Sequence, residues 1–168
     1  MRKILPILLL CLPLCCACTI NSTFSGYAAH FVFDATFSPF DQVYGAGQFI
    51  TVKRGRSASS YEVTDIFGNK ETKQLTEAQS RQYYQYGFGG FIIGTPLQGG
   101  GIKVYDWACP NCDLSPTRLE LSELGNAKCP DCECEFDLNQ NGCAIKGESR
   151  PLWQYKVSNV GSEIVIRN

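Results

Sequence analysis

Two short cysteine pairs are the residues of this chain whose type and spacing could do chemistry. They are the sequences C-P-N-C at 109–112 and C-P-D-C at 129–132, and sixteen residues separate them. Two such pairs at this distance are typical of a metal site with four thiolate ligands. The proline after each leading cysteine fixes φ for a tight turn, which brings both sulfurs of a pair to one side. The predicted ligands are Cys109, Cys112, Cys129 and Cys132.

The charge of these four residues supports a metal, although other states of the thiols stay open. Four thiolates carry four negative charges, so a cation and backbone N–H donors are needed to hold them together. Two disulfides, local or crossed between the pairs, would also use all four sulfurs, and four free thiols are the remaining state. Zinc is the predicted metal, since it takes four cysteines in a closed tetrahedral site.

The other cysteines divide into two groups. Four of the ten lie in the first eighteen residues, and six lie between Cys109 and Cys143, whereas a disulfide framework would be spread over the fold. Cys134 and Cys143 flank the sequence N-Q-N-G at 139–142, which predicts a hairpin turn. This pair could form a disulfide or provide a supporting or alternative ligand.

The first residues have the pattern of a targeting segment. A positive start at Arg2 and Lys3 precedes an apolar run over 4–14 that is too short to span a bilayer. The run leads to Ala17-Cys18, which resembles a bacterial lipoprotein signal with Cys18 as the acylated residue; Cys16 and Cys15 remain alternatives. We therefore expect a signal peptide at 1–17, a tether at 18–26, a single domain at 27–168, and a lipid-anchored protein of the bacterial cell envelope.

Composition and charge exclude several classes of function. The net charge is −1 and the body has no basic cluster, which argues against a nucleic-acid partner. The glycines between 87 and 101 do not match a phosphate-binding loop that enters a helix. We find no nucleophile–base pair, and a zinc ion with four thiolates has no open position for catalysis. The sequence therefore predicts a protein that is not an enzyme, whose protein or redox partner it does not identify.

The elements that position the cysteines are predicted to be mostly β-strands. Alternating or β-branched apolar residues mark them, with glycine- and proline-rich turns between. The predicted strands are 30–37, 48–54, 61–67, 91–93, 102–107, 134–138, 143–146, 152–157 and 163–166, and residues 118–121 and 125–128 are expected to form a short excursion between the two cysteine pairs. One helix is predicted over Thr76–Tyr86, with Thr76 as its cap and Gly87 after its end.

The second half of the chain, from Val104 to Ile166, resembles the Rieske-type iron–sulfur domain. The sequences that carry the resemblance are Tyr105-Asp106, Phe136-Asp137-Leu138, Asn141-Gly142, Gly147, Pro151-Leu152 and Tyr155-Lys156-Val157. The leader and the upstream strands are similar to those of small Rieske-like lipoproteins. The resemblance implies a Rieske-like antiparallel β-sandwich with a small four-cysteine metal-binding subdomain at about 108–135 and one short helix.

The cluster ligands depart from that family. Cys132 stands where the family has its second histidine, and C-x-x-C at 109–112 replaces C-x-H. The single histidine, His30, lies far upstream and is expected to be a strand residue. Because two histidines define the Rieske centre and raise its potential, its quinol-type redox chemistry is not expected here. A [2Fe–2S] cluster and a mononuclear iron stay open beside zinc, since both accept four cysteines.

We expect a membrane-anchored protein whose metal site is structural or serves binding. One alternative is an electron-transfer protein that holds [2Fe–2S] or mononuclear iron. A second alternative is a thiol–disulfide protein without metal, although the residues after Cys112 do not favour the helix that lowers the cysteine pKa in such proteins.

Overall fold

The computed structural model describes residues 24–65, 67–112, 114–122 and 124–168. The predicted signal peptide, Cys18 and most of the tether lie outside the described residues. Within them the chain forms thirteen strands and one short α-helix. The strands are β1 (Ala29–Asp34), β2 (Phe49–Arg54), β3 (Ser60–Thr64), β4 (Lys70–Gln74), β5 (Gln85–Tyr86), β6 (Phe91–Gly94), β7 (Lys103–Asp106), β8 (Glu120–Leu121), β9 (Asn126–Lys128), β10 (Glu135–Asp137), β11 (Cys143–Lys146), β12 (Lys156–Val160) and β13 (Glu163–Arg167).

Three antiparallel sheets contain all of these strands. The central sheet has the order β4-β3-β2-β6-β7, and the terminal sheet has the order β12-β13-β1-β5. The knuckle sheet, β11-β10-β9-β8, is smaller and lies next to the cysteine pairs in sequence. The prediction of a mostly β protein with antiparallel sheets, one short helix and the cysteines in a small sheet region is confirmed.

Strand β6 of the central sheet is buried on both faces. In β6 the side chains of Phe91 and Ile93 belong to one apolar cluster, and that of Ile92 belongs to another. Successive side chains of a strand point to opposite faces, so β6 contributes to two cores at once. The first core lies against the terminal sheet through residues such as Phe31. The second includes Phe136 of the knuckle sheet. A run of apolar residues without alternation, as in β6, is the pattern such a strand requires.

The terminal sheet joins the two ends of the described chain. β1 pairs with β13 from His30 opposite Arg167 to Asp34 opposite Glu163. Phe31 and Ile166 on these strands are fully buried. His30 lies on β1 with its ring edge-on to Tyr84, at 5.8 Å between centroids, so the expectation that it is a strand residue is confirmed.

The predicted helix over Thr76–Tyr86 is wrong beyond its first turn. Only Glu77–Ser80 is helical, after Thr76, which caps it in a capping box with Gln79. No residue of this turn is buried, so it has no apolar face to pack. Tyr86, the last residue of the predicted helix, instead pairs with β1 in the terminal sheet. No helix of the described residues has the length and apolarity needed to span a membrane.

Sequence reasoning missed the short strands β5, β8 and β9, and it also missed β4. β4, Lys70–Gln74, contains no apolar residue and four of its five residues are exposed. It lies at the edge of the central sheet, where its lysines discourage pairing with another chain. Its polar composition is therefore that of a protected edge, which hydrophobic periodicity does not detect.

Candidate metal centre

Each cysteine pair forms a turn that extends from a strand. The first knuckle, 109–112, follows β7 after two residues, and the second knuckle, 129–132, connects β9 to β10. The chain between the knuckles folds back along the end of β7, because Ala108 bridges Arg118 and the Leu119 N–H donates to the Trp107 carbonyl at 3.0 Å. The indole N–H of Trp107 donates a hydrogen bond to the Leu119 carbonyl at 2.7 Å. Paired strands thus bring the two knuckles together.

Backbone hydrogen bonds shape the two knuckles. The Cys112 N–H donates to the Cys109 carbonyl at 3.2 Å and closes the first turn. In the second, the Glu133 N–H donates to the Cys129 carbonyl at 3.1 Å, and Glu133 adopts a left-handed φ of 58°. Cys129 donates its own N–H to the Cys134 carbonyl at 2.9 Å. Each leading cysteine is therefore held by the hydrogen-bonded backbone around it.

The structure brings together the four cysteines that the sequence predicts as ligands. The Sγ atoms of Cys109, Cys112, Cys129 and Cys132 all lie within 4.8 Å of one another. The Sγ atoms of Cys109 and Cys132 are 3.6 Å apart, and those of Cys112 and Cys129 are 3.7 Å apart. Both of these contacts join one knuckle to the other. The leading cysteines Cys109 and Cys129 are fully buried, and the trailing ones are partly exposed.

This sulfur arrangement fits a single tetrahedral ion. A zinc–sulfur bond of about 2.3 Å in a regular tetrahedron gives a sulfur–sulfur edge of about 3.8 Å. The Cys109–Cys132 and Cys112–Cys129 separations, 3.6 and 3.7 Å, agree with that edge. All four cysteines are free thiols, so the local and crossed disulfides are not formed. The four residues can therefore hold one thiolate-binding metal ion with every sulfur as a ligand.

The thiols titrate very differently without a cation. Burial, together with the neighbouring thiols, raises the pKa of Cys109 and raises the pKa of Cys112 to about 12. Burial opposes ionisation of Cys132 as well, but hydrogen bonds from the backbone and side chain of Cys134 and from neighbouring thiols lower its pKa to about 6. Of these three thiols Cys132 ionises most readily, and a metal must displace the protons of Cys109 and Cys112.

The disulfide considered between Cys134 and Cys143 is not formed, because Cys134 is a free thiol. The hairpin register explains this. Cys143 lies opposite Asp137, and Cys134 precedes that residue by three positions along the chain. At the other end of the hairpin, a Cβ on Gly147 would lie 2.7 Å from the Cys134 Sγ. The Cys134 sulfur also lies 3.9 Å from the Asn111 Nδ2 amide, which donates to it.

A buried carboxylate that sequence reasoning did not single out supports the first knuckle. Asp106 ends β7, is fully buried, and accepts the N–H of Ala108 at 2.8 Å. It also accepts the N–H groups of Phe88 and Gly89 and the hydroxyl of Tyr155. Burial raises the pKa of Asp106, and these four donors oppose the rise. A lone acidic residue between aromatic residues of a strand was the signal that could have identified it.

A second missed residue contacts the first knuckle from a distant loop. Arg150 donates from both Nε and Nη2 to the Pro110 carbonyl, at 3.1 and 2.9 Å. Its guanidinium also lies over the Trp153 ring, 5.0 Å from the centroid. Forty residues separate Arg150 from Pro110, so no local sequence pattern could indicate the contact.

Comparisons with known proteins assign no family to this chain. No protein-family model matches it, and no curated protein matches it either. What stands is a mostly β protein with three antiparallel sheets and, among its described residues, a candidate four-cysteine metal site.

Proposed function

We propose that this chain is a lipid-anchored protein whose β fold carries one structural zinc ion on Cys109, Cys112, Cys129 and Cys132. The mutual approach of the four Sγ atoms within 4.8 Å is the observation that carries the proposal. Four thiolates fill the tetrahedron, so the ion would have no open position and would serve the fold or a binding surface. When bound, zinc would supply the positive charge that lets four crowded thiolates coexist.

A single ion accounts for this geometry better than a [2Fe–2S] cluster does. A two-iron cluster divides its four protein ligands into two pairs, one on each iron, and its bridging sulfides hold the pairs apart. Here no pair among the four sulfurs exceeds 4.8 Å. This compact set leaves no room for a second iron and its sulfides unless the knuckles separate.

The metal would hold the chain segment between the two knuckles. Of the large apolar residues there, Leu119 is buried, while Leu114 and Leu124 are exposed. Among the described residues, and outside the cysteines, one side-chain bond links this segment to the second knuckle, from the Thr117 hydroxyl to the Asp131 carboxylate. So little apolar burial cannot fix the segment, and metal binding would be coupled to its order.

The Rieske-like interpretation and the membrane anchor belong to the same proposal. A mostly β fold with its cysteine cluster in a small sheet region supports a relation to the Rieske-type domain, without its histidine chemistry. The Ala17-Cys18 sequence supports acylation of Cys18 and a place in the bacterial cell envelope. A Cys18→Ser protein should lose the acyl mass and leave the membrane fraction. Retention of both would contradict the anchor and leave the metal proposal intact.

A mononuclear iron in the same tetrahedron is the second candidate function. Cys112 and Cys132 are partly exposed, so the edge of the site formed by these sulfurs reaches the surface. Electron transfer requires that a partner protein can come close to the metal through an exposed edge, whereas a purely structural site has no such requirement. In this case the protein would be a one-electron carrier with visible colour.

Elemental analysis and a visible spectrum of anaerobically purified full-length protein test the proposal. We expect one zinc per chain and no visible absorption. One iron with visible bands would establish the electron-carrier alternative, and two irons with sulfide would overturn the single-ion geometry. Absence of any metal, with oxidised cysteines, would overturn the proposal in favour of a thiol–disulfide protein. The matched variants are Cys132→Ala, which should lose the metal, and Cys134→Ala, which should retain it.

A further inference from the structure

Arg150 is placed to act on the metal site without touching a cysteine. It lies in the loop after β11 and directs two N–H groups at one oxygen, the Pro110 carbonyl. The flat guanidinium is held over the ring of Trp153, which is 7% exposed. An arginine that is both stacked and two-fold bonded is fixed in orientation, which a lysine cannot reproduce.

The carbonyl that Arg150 contacts belongs to a peptide group that also faces a sulfur. The Pro110 carbonyl and the Asn111 N–H are the two ends of one peptide, and although burial raises the pKa of the Cys109 thiol, the Asn111 backbone N–H opposes that rise. A carbonyl that accepts bonds from a cation polarises its own peptide, so the N–H at the other end becomes a stronger donor. The guanidinium charge is thus linked to Cys109 through one peptide.

The loop that carries Arg150 is also fixed at the second knuckle. Gly147 packs against Cys134 so closely that a Cβ there would lie 2.7 Å from the Cys134 sulfur. Gly147 has a φ of 79°, a left-handed conformation that favours glycine. The loop over 147–151 therefore crosses from the second knuckle to the first, and Arg150 is its contact at the far end.

We propose that Arg150 is a positioning residue of the metal site, which strengthens the N–H···S bond to Cys109 by polarising the Pro110–Asn111 peptide. The inference rests on the proposed function, since it requires a metal on the four cysteines. Among the described residues, no other cationic side chain donates to a carbonyl of either knuckle. Groups that hydrogen-bond or orient metal ligands typically change metal affinity by about 10- to 100-fold when they are removed.

The chain offers a matched control for this contact. Arg118 also donates from Nε to a backbone carbonyl, that of Gly89, at 2.7 Å, and it also lies over a tryptophan, 5.4 Å from the Trp107 ring centroid. Both arginines are exposed. The peptide that Arg118 contacts does not belong to a knuckle. Removal of Arg118 therefore reproduces the loss of an arginine–carbonyl–tryptophan contact without the link to a cysteine.

The test uses the full-length protein loaded with Co²⁺, whose thiolate-to-metal absorption reports the metal–sulfur bonds. We would measure this band, the Co²⁺ affinity by competition with a chromophoric chelator, and the melting of the metal-free form. Arg150→Met should lower the affinity by about 10-fold or more and move the band to longer wavelength, because a sulfur with a weaker hydrogen bond gives up charge more easily. Arg150→Lys keeps the charge but cannot donate two N–H groups in a fixed orientation to the Pro110 carbonyl. Its band shift should therefore be smaller than that of Arg150→Met. Arg118→Met can loosen the segment between the knuckles but should leave the band in place, because its contact has no link to a cysteine.

The outcomes separate this inference from the proposed function. If the unmodified protein binds Co²⁺ and Arg150→Met leaves affinity and band unchanged, the inference is overturned and the metal site stands. If the unmodified protein binds none, the metal site itself is refuted. An equal shift in Arg118→Met would assign the effect to general loosening and also overturn the inference. If Arg150→Met does not fold, a band shift in Arg150→Lys still supports it and an unchanged band refutes it.

Discussion

Replacement of Asp106 by asparagine is the sharpest test of how the fold supports the first knuckle. The carboxylate is fully buried and accepts four donors at 2.5 to 2.9 Å. One oxygen, Oδ1, serves Gly89 and Ala108, and the other, Oδ2, serves Phe88 and the Tyr155 hydroxyl. Asp106 therefore joins the glycine-rich loop, the chain before β12 and the base of the knuckle at a single point.

The size of the effect follows from counting these bonds in the Asp106→Asn protein. An asparagine oxygen in place of Oδ1 still accepts from Gly89 and Ala108, but its NH₂ group then faces Phe88 and Tyr155. The Tyr155 hydroxyl can rotate and accept, whereas the Phe88 N–H loses its acceptor at a cost of about 1–3 kcal/mol. Bonds to a charged acceptor are worth roughly 1 kcal/mol more than neutral ones, and removing the buried charge offsets part of that loss. The expected loss in the free energy of unfolding is about 2–4 kcal/mol.

Denaturant unfolding followed by tryptophan fluorescence measures this loss. The control is Asp34→Asn, since Asp34 also accepts bonds from a nearby residue, Thr36, but these bonds are exposed to water. Water can replace an exposed acceptor, so the control should shift the midpoint much less. If Asp106→Asn and Asp34→Asn were destabilised equally, the buried carboxylate would not have the supporting role that we assign to it.

Three further predictions concern the cysteines. Because the pKa of Cys109 is raised and that of Cys112 is about 12, both thiols are protonated near neutral pH without metal. Zinc must displace these two protons, so the apparent zinc affinity should fall by about 100-fold per unit as the pH falls from about 8 to 7. Competition titrations with a chelator measure this change. Cys134→Ala should retain one metal per chain by mass spectrometry, because its sulfur lies outside the group of four; loss of the metal would make it a ligand. Chelation should remove hydrogen-exchange protection within 110–118 and 130–134 and leave the central sheet protected. Unchanged protection within 110–118 and 130–134 would show that the metal has no structural role.

The sequence was informative where the pattern is local. Two C-P-x-C pairs predicted four sulfurs around one point, and the structure gathers those four. Strands with apolar alternation or continuous apolar runs were also predicted, with ends that differ from the observed ones by a few residues. β6 is such a case, predicted over 91–93 and observed as Phe91–Gly94. In both cases the physical cause, a turn or the burial of a face, lies within the residues that form the pattern.

Predictions failed where the deciding contact lies elsewhere in the chain. The helix after Thr76 stops because Tyr86 gains a place beside β1, more than fifty residues upstream. The disulfide between Cys134 and Cys143 depended on a register that the turn sequence did not fix, and β10 has an irregularity between Glu135 and Phe136. Asp106 and its donors, separated by up to 49 residues, likewise have no joint signature in the sequence.

The two cysteines of each knuckle differ in what holds them, and this decides how the site should respond to metal loss. Cys109 and Cys129 are members of the second apolar core, with Ile92 of the central sheet. Burial in that core and the backbone bonds at each strand end would keep them in place without metal. Cys112 and Cys132 are only partly buried at the ends of the turns, so the metal itself would fix them. Half of the site is therefore preformed by the fold, which lowers the ordering cost of binding and confines the predicted disorder to the turns and the segment they carry.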